Sequence, residues 1–275
     1  MQLTEEQKNY FDVNGYLIIK NYFEQKELND FKEMLRKLIQ TALAKCSSID
    51  PEIKVDLYDG KEFDEGLLKL ESIDHNIISN IYDTIPYTSE FLRIVSKDTT
   101  CMYINQLSNR DINTPLFATY NRCRLDLPKD DRRNVKWHQE VFYSIPKSEF
   151  LQTWSPLIRD TTIENGSIEI CPTSHKNGIA DQSYEQNTNT PTPYTVKEKE
   201  IEKYHPIRTE MKLGDFMIFN SRLIHRSGVN SSKETRFSLV GMYHNTDLEN
   251  FIPPKVELTL PKISNLDYYN EFKKN

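Results

Sequence analysis

Apolar positions in the first hundred residues recur at helical spacing. Leu28, Phe31, Leu35, Leu38, Ile39 and Leu43 follow at intervals of three, four, three, one and four, which gathers them into one stripe on a long amphipathic helix. Such a stripe is expected to pack on a sheet. Ahead of it, Thr4 and Gln7 have the form of a capping box, and the apolar run of Tyr10, Phe11 and Val13 stops at Gly15, a residue suited to closing a short helix. "YLIIK", from Tyr16, then reads as a strand. Between Cys46 and about Leu67 the polar, turn-rich stretch "SSIDPEIKVDLYDGKEFDEG" predicts a loop or lid, and helical spacing returns in "LLKLESIDHNIISNIYDTI".

Beyond Cys101 the period shifts toward two. "LFATYNRCRLDL", "KWHQEVFYSI", "LQTWSPLI", "GSIEICP", "DFMIFN" and "FSLVGMYH" are short, rich in aromatic or branched residues, and separated by Pro, Asn-Gly, Gly-Asp and Ser-Gly. Helices followed by many short strands predict an α+β fold, a jelly-roll-like core with the N-terminal helices packed on one face. A single domain is expected over 1–275, with a helical flank at 1–100, the β core at 101–262 and a polar insertion at 181–205 on the rim. Asn165-Gly166 reads as a hairpin turn between two strands.

Composition narrows the function classes. A formal net charge of -6 opposes tracking along a nucleic acid and suits a small-molecule partner. No apolar run approaches membrane-spanning length, and the polar start "MQLTEEQKNY" has no signal-peptide pattern, so a cytoplasmic address is expected. Cys46, Cys101, Cys123 and Cys171 lie far apart without a C-x-x-C pair and read as reduced thiols. Oligomeric state leaves no trace in the sequence.

The candidate chemistry sits in "VKWHQEVFY". In a strand, residues i and i+2 share a face, so His138 and Glu140 would point together with Gln139 turned away. "RLIHRSG" supplies His225. Two histidines and one carboxylate would occupy one face of an octahedron and leave three positions open, the arrangement of non-haem Fe(II) oxygenases. A closed zinc site would want four ligands, and no cysteine lies near either motif. Eleven residues after His225 comes Arg236, whose planar fork suits a carboxylate held beside the metal. Asn121 and Arg124 precede the motif on one predicted strand, where alternation lets only one face inward; Asn121 is expected to contact the cosubstrate. His75, His175, His205 and His244 read as structural or surface residues, and "PKDDRRNVK" as a solvated mixed-charge loop.

His138-x-Glu140, "LQTWSPLIRDTTIENGSIEICPTSHKNG", "LGDFMIFNSRLIHRSGVNSSKETRFSL" and the opening "LTEEQKNYFDVNGYLIIKNYF" together resemble the phytanoyl-CoA dioxygenase family of Fe(II)- and 2-oxoglutarate-dependent oxygenases. The resemblance implies a double-stranded β-helix (cupin-like) core, His138, Glu140 and His225 as iron ligands, and Arg236 on the distal carboxylate of 2-oxoglutarate. It further implies that Ser227 assists at that carboxylate and that Trp154 walls the cosubstrate pocket. The reaction it implies consumes O2 and 2-oxoglutarate, releases succinate and CO2, and hydroxylates an unactivated C–H bond of a small metabolite. The family usually has aspartate where this chain has Glu140. Two other readings stay open: a catalytically silent β-helix protein that binds a small ligand, and a cupin-like metalloenzyme that does not use 2-oxoglutarate.

Overall fold

Helix α1 (Glu5–Asn14) begins with the capping box: Thr4 Oγ1 accepts from Gln7 N–H while the Gln7 side chain accepts from Thr4 N–H, and Gly15 closes the helix at φ 81. The computed structural model describes residues 2–49, 62–130, 134–145, 148–184, 194–249 and 251–253. Strand β1 (Tyr16–Ile19) follows, and then helix α2 (Gln25–Ile49). Leu28, Phe31, Leu35, Ile39 and Leu43 are all buried on one face of α2, as the spacing requires. α2 continues past Cys46, so the first residues of the expected loop are helical, and 62–66 form a π-helical turn. The remainder of that loop, 50–61, lies outside the described residues.

Four further helices, α3 (Leu67–Ile73), α4 (His75–Thr84), α5 (Ser89–Val95) and α6 (Asp98–Leu107), complete the helical flank. Asp74 separates the first two, because its side chain accepts from Asn76 N–H and starts α4 anew. The strands are β2 (Leu116–Asp126), β3 (Phe150–Pro156), β4 (Glu169–Ile170), β5 (Gln182–Tyr184), β6 (Tyr194–Val196), β7 (Ile207–Arg208), β8 (Phe216–Asn220), β9 (His225–Arg226) and β10 (Arg236–Asn245), with a short helix α7 (Glu198–Ile201) after β6.

The main antiparallel sheet has the order β1-β8-β3-β10-β2, and a smaller antiparallel sheet has the order β7-β4-β9. Alternation along the main sheet sorts its side chains. Phe216, Ile218, Phe237, Leu239, Tyr243, Cys123 and Leu125 join the helices in one apolar core. The opposite face carries Trp154, Met217 and Phe219, which meet Ile170 of the smaller sheet and Ile168 and Leu223 from the segments leading into it in a second cluster. The site lies between the two sheets, on that second face. This is the α+β jelly-roll with helices on one side.

Two sequence expectations change. "KWHQEVFYSI" is not a strand: His138 makes an isolated bridge to His225, and residues Glu140–Phe142 form a 3-10 turn. Asn165-Gly166 does form a turn, with Gly166 at φ 87 and Asn165 Oδ1 accepting from Thr162 N–H, but it carries the chain from the main sheet to the smaller one and does not close a hairpin. The rim insertion is a two-stranded hairpin, β5 with β6, of which 185–193 lie outside the described residues. All four cysteines are free. Among the described residues no helix is long and apolar enough to cross a membrane.

Candidate metal centre

His138 and His225 are locked to each other before any side chain is considered. His138 N–H donates to His225 C=O at 3.0 Å, and His225 N–H donates back at 3.1 Å. The ring centroids lie 4.1 Å apart. Each ring is then oriented through Nδ1, which lies 2.8 Å from the Lys136 carbonyl in His138 and 2.9 Å from the Leu223 carbonyl in His225. A carbonyl can only accept, so Nδ1 holds the proton of each neutral ring and Nε2 is left with a lone pair.

Glu140 arrives from the 3-10 turn, held by Glu140 N–H donating to Ser221 C=O at 3.0 Å. Its Oε2 lies 3.1 Å from His138 Nε2 and 3.6 Å from His225 Nε2. The three donor atoms fall within 4.8 Å of one another. Three lone-pair donors facing one point, with both tautomers set by backbone carbonyls, is how a protein presents a site to a cation. Burial raises the Glu140 carboxyl, but hydrogen bonds from the two imidazoles, which need a proton on Nε2, outweigh it and hold it at about 2; a metal would take the place of that proton. Burial, and then the neighbouring His138, lower His225 against the opposing pull of Glu140. The turn thus brings together the three residues singled out in the sequence, by a route other than strand alternation.

Gln139, between two of them, is fully buried and points away. Its Nε2 donates to the Gly178 and Arg222 carbonyls at 2.8 and 2.6 Å, and its Oε1 accepts from Ala180 N–H at 2.9 Å. One side chain therefore ties the His138 segment to the loop before β5 and to the turn before β9. Tyr143 ties in the rim hairpin, its hydroxyl accepting from Tyr194 N–H at 3.0 Å and donating to Tyr194 C=O at 2.8 Å.

Arg236, at the head of β10, faces the second side of the main sheet and is 3% exposed. Its Nη2 and Nε donate to Asp126 Oδ2 at 2.8 and 3.2 Å, and Nη1 donates to Gly228 C=O at 3.1 Å. Arg124 donates to the same carboxylate at 2.8 and 3.2 Å. Burial, together with the like charge of Arg124, outweighs Asp126 and lowers Arg236, so one shared carboxylate does not neutralise both guanidinium groups. Two hydroxyls nearby, Ser238 Oγ on the same strand face and Ser167 Oγ beside Gly228, are buried without a partner among the described residues. Arg124 and Asp126 were legible in "NRCRLDL" as alternate residues of one strand face; the orphaned serines had no signal.

Ser227 lines a cavity of about 820 Å³ together with Ser167, Gly228, Arg226 and Glu169. Trp154 is buried in the cluster between the two sheets. Asn121 is a correction. Asn121 alternates with Cys123 and Leu125 and so lies on the helix-packed face, where its Oδ1 lies against Gly241 and beside Thr153; a β-bulge at Tyr120 (φ 55) interrupts β2 just before it. Arg124, not Asn121, faces the site. His175 packs against Gly15 and His75 pairs with Glu71 on the surface; neither approaches the triad. Within "PKDDRRNVK", 131–133 lie outside the described residues.

A jelly-roll holding two imidazoles and a carboxylate between its sheets has the donor set of non-haem metal oxygenases and their relatives. The phytanoyl-CoA dioxygenase (PhyH) profile matches residues 11–238, and the chain belongs to that family. A probable phytanoyl-CoA dioxygenase of Caenorhabditis elegans is 22% identical over 269 residues, covering 91% of this chain and 78% of its own. Among solved structures, the epimerase SnoN in complex with Fe3+, alpha-ketoglutarate and nogalamycin RO superposes with a TM-score of 0.58 at 16% identity, over 95% of this chain and 96% of its own. EctD from S. alaskensis, with 2-oxoglutarate and 5-hydroxyectoine, gives 0.57 at 16% identity, over 89% of this chain and 77% of its own.

Proposed function

We propose that the protein is an Fe(II)- and 2-oxoglutarate-dependent dioxygenase that hydroxylates an unactivated C–H bond of a small metabolite, releasing succinate and CO2. The observation that carries this reading is the convergence of His138 Nε2, His225 Nε2 and Glu140 Oε2 at one buried point, with Nδ1 of each ring already directed to a backbone carbonyl. These residues would hold the metal, and bound iron would supply the oxygen chemistry. Glutamate in place of the usual aspartate keeps charge and donor oxygens, and the 3-10 turn sets where its longer arm ends.

Arg236 is proposed to take the distal carboxylate of 2-oxoglutarate. A guanidinium has five N–H groups; Asp126 and Gly228 engage one on each nitrogen, so each terminal nitrogen keeps a second N–H for another anion. The partnerless Ser238 and Ser167 hydroxyls are suited to that carboxylate, and Ser227 lines a cavity with Ser167. Trp154, buried in the cluster between the two sheets, is proposed to wall the cosubstrate. The two similar structures are an epimerase and a protein with 5-hydroxyectoine bound, and the outcome proposed here depends on where the substrate is placed.

Anaerobic titration with Fe(II) and then 2-oxoglutarate tests the reading. The expected result is a visible metal-to-ligand charge-transfer band in the wild type, absent in His225→Ala, with Arg236→Lys weakening 2-oxoglutarate at least tenfold, about 1.4 kcal/mol, while iron affinity holds. A saturated wild-type sample without the band would end the proposal. Oxygen-dependent succinate release in a metabolite screen, with product mass raised by one oxygen, separates hydroxylation from other outcomes.

A further inference from the structure

We propose that the prime substrate carries an anionic group, a carboxylate or a phosphoryl group, and that Arg122 binds it; the inference rests on the oxygenase reading above. Arg122, Arg124 and Asp126 alternate along β2 and so share the face turned toward the metal centre. Asp126 is engaged by Arg124 and Arg236. Arg122 has no such partner: its Nη1 donates to its neighbour's carbonyl, Asn121, at 3.1 Å, and among the described residues no carboxylate lies within salt-bridge distance of it.

A charge balance on this face isolates the same residue. A divalent ion, the Glu140 carboxylate, dianionic 2-oxoglutarate, the Asp126 carboxylate and the guanidinium groups of Arg124 and Arg236 together sum to zero. The charge of Arg122 is left over. A partly buried cation beside an otherwise neutral site favours a ligand of opposite sign, because low dielectric strengthens the attraction and few waters compete.

The local geometry suits an anion held by two parallel bonds. The guanidinium carbon of Arg122 lies 5.6 Å over the Tyr120 ring, which the bulge at Tyr120 places on the same side. This cation–π contact steadies the guanidinium on that side of the strand, and the N–H groups not given to the Asn121 carbonyl are left to meet carboxylate or phosphoryl oxygens. Arg122 is two residues from Arg124, about 7 Å further along the strand, and so beyond the reach of a cosubstrate carboxylate seated at Arg236. A substrate anchored there by one end presents its other end to the metal.

The test uses the wild type, Arg122→Gln and Arg122→Lys, each loaded anaerobically with Fe(II) and 2-oxoglutarate. Propionate, methylphosphonate and neutral propionamide are titrated by calorimetry, and the charge-transfer band reports cosubstrate affinity in the same samples. The wild type is expected to bind propionate or methylphosphonate about tenfold or more tightly than propionamide, and whichever anion is preferred identifies the source. Arg122→Gln should lose that preference, Arg122→Lys should keep part of it, and 2-oxoglutarate affinity should stay within about threefold in all three. Equal anion affinity in the wild type and Arg122→Gln, or no preference over propionamide, overturns the proposal. So does a parallel fall in 2-oxoglutarate affinity, which would move Arg122 into the cosubstrate clamp. A wild type that binds the anions through Arg122 but shows no band separates the two claims, since only the oxygenase reading then fails.

Discussion

His244 is fully buried on the inward face of β10, with Ser144 Oγ 2.7 Å from Nε2 and Ser148 Oγ 2.8 Å from Nδ1. Phe117, Phe150 and Phe251 surround the ring. No carboxylate faces it, and burial lowers its pKa from 6.5 to about 4. The ring therefore takes up a proton on unfolding anywhere between those values. Stability is fully present above about pH 6.5 and is lost as pH falls toward 4, by roughly 3 kcal/mol at most from this residue. Urea unfolding between pH 7.5 and 4.5 should show the advantage of wild type over His244→Gln shrinking across that window. A constant difference would mean that the ring titrates alike in both states. The residue also explains a correct reading in the sequence: with no ligand-spaced neighbour, a strand histidine is most often a satisfied core residue, and two serine hydroxyls satisfy this one.

At the scale of elements, the turn at 161–166 does more than link the two sheets. Gly166, at φ 87, lies so close to Arg236 that a Cβ there would come within 2.6 Å of both Nη1 and the Gly228 carbonyl. Gly166→Ala is expected to cost on the order of 2 kcal/mol or more from backbone conformation and crowding together. It should also weaken 2-oxoglutarate more than iron, because the displaced group is the guanidinium and the triad is held elsewhere. Thermal unfolding and the charge-transfer titration read the two effects separately, and a variant of wild-type stability with unchanged cosubstrate affinity would show that Arg236 does not depend on this turn. The Asn-Gly signal was visible as a turn. Its role against a residue seventy positions later was not, since sequence spacing carries no record of which turn packs on which strand.

For the molecule as a whole, metal binding and folding are linked, because the triad draws His138 and Glu140 from before β3 and His225 from β9. A ligand that binds only the folded chain at a free concentration of 100 times its Kd stabilises it by about 2.7 kcal/mol. For a chain of this size that corresponds to a rise of roughly 5–10 °C in Tm. Anaerobic Fe(II), or Co(II) as a redox-stable substitute, should produce that rise in the wild type and none in His225→Ala. Equal melting of both proteins with and without metal would remove the triad from the assignment.

What the sequence determined by itself is local or periodic. The capping box at Thr4, the stripe on α2, the period-two strands around Cys123, Trp154, Ile218 and Leu239, and the residue types able to hold a metal all follow from short-range geometry, which a linear pattern records. Tertiary structure decided the rest. His138 and Glu140 share a point through a 3-10 turn held by Ser221 and Gln139, the register of β2 on β10 puts Arg122 and Arg124 on the face of Arg236 and Asn121 on the other, and Asp126 joins two arginines 112 positions apart. Each depends on a long-range contact, where a shift of one residue in register reverses every side chain, and such a shift leaves no mark in the order of the amino acids.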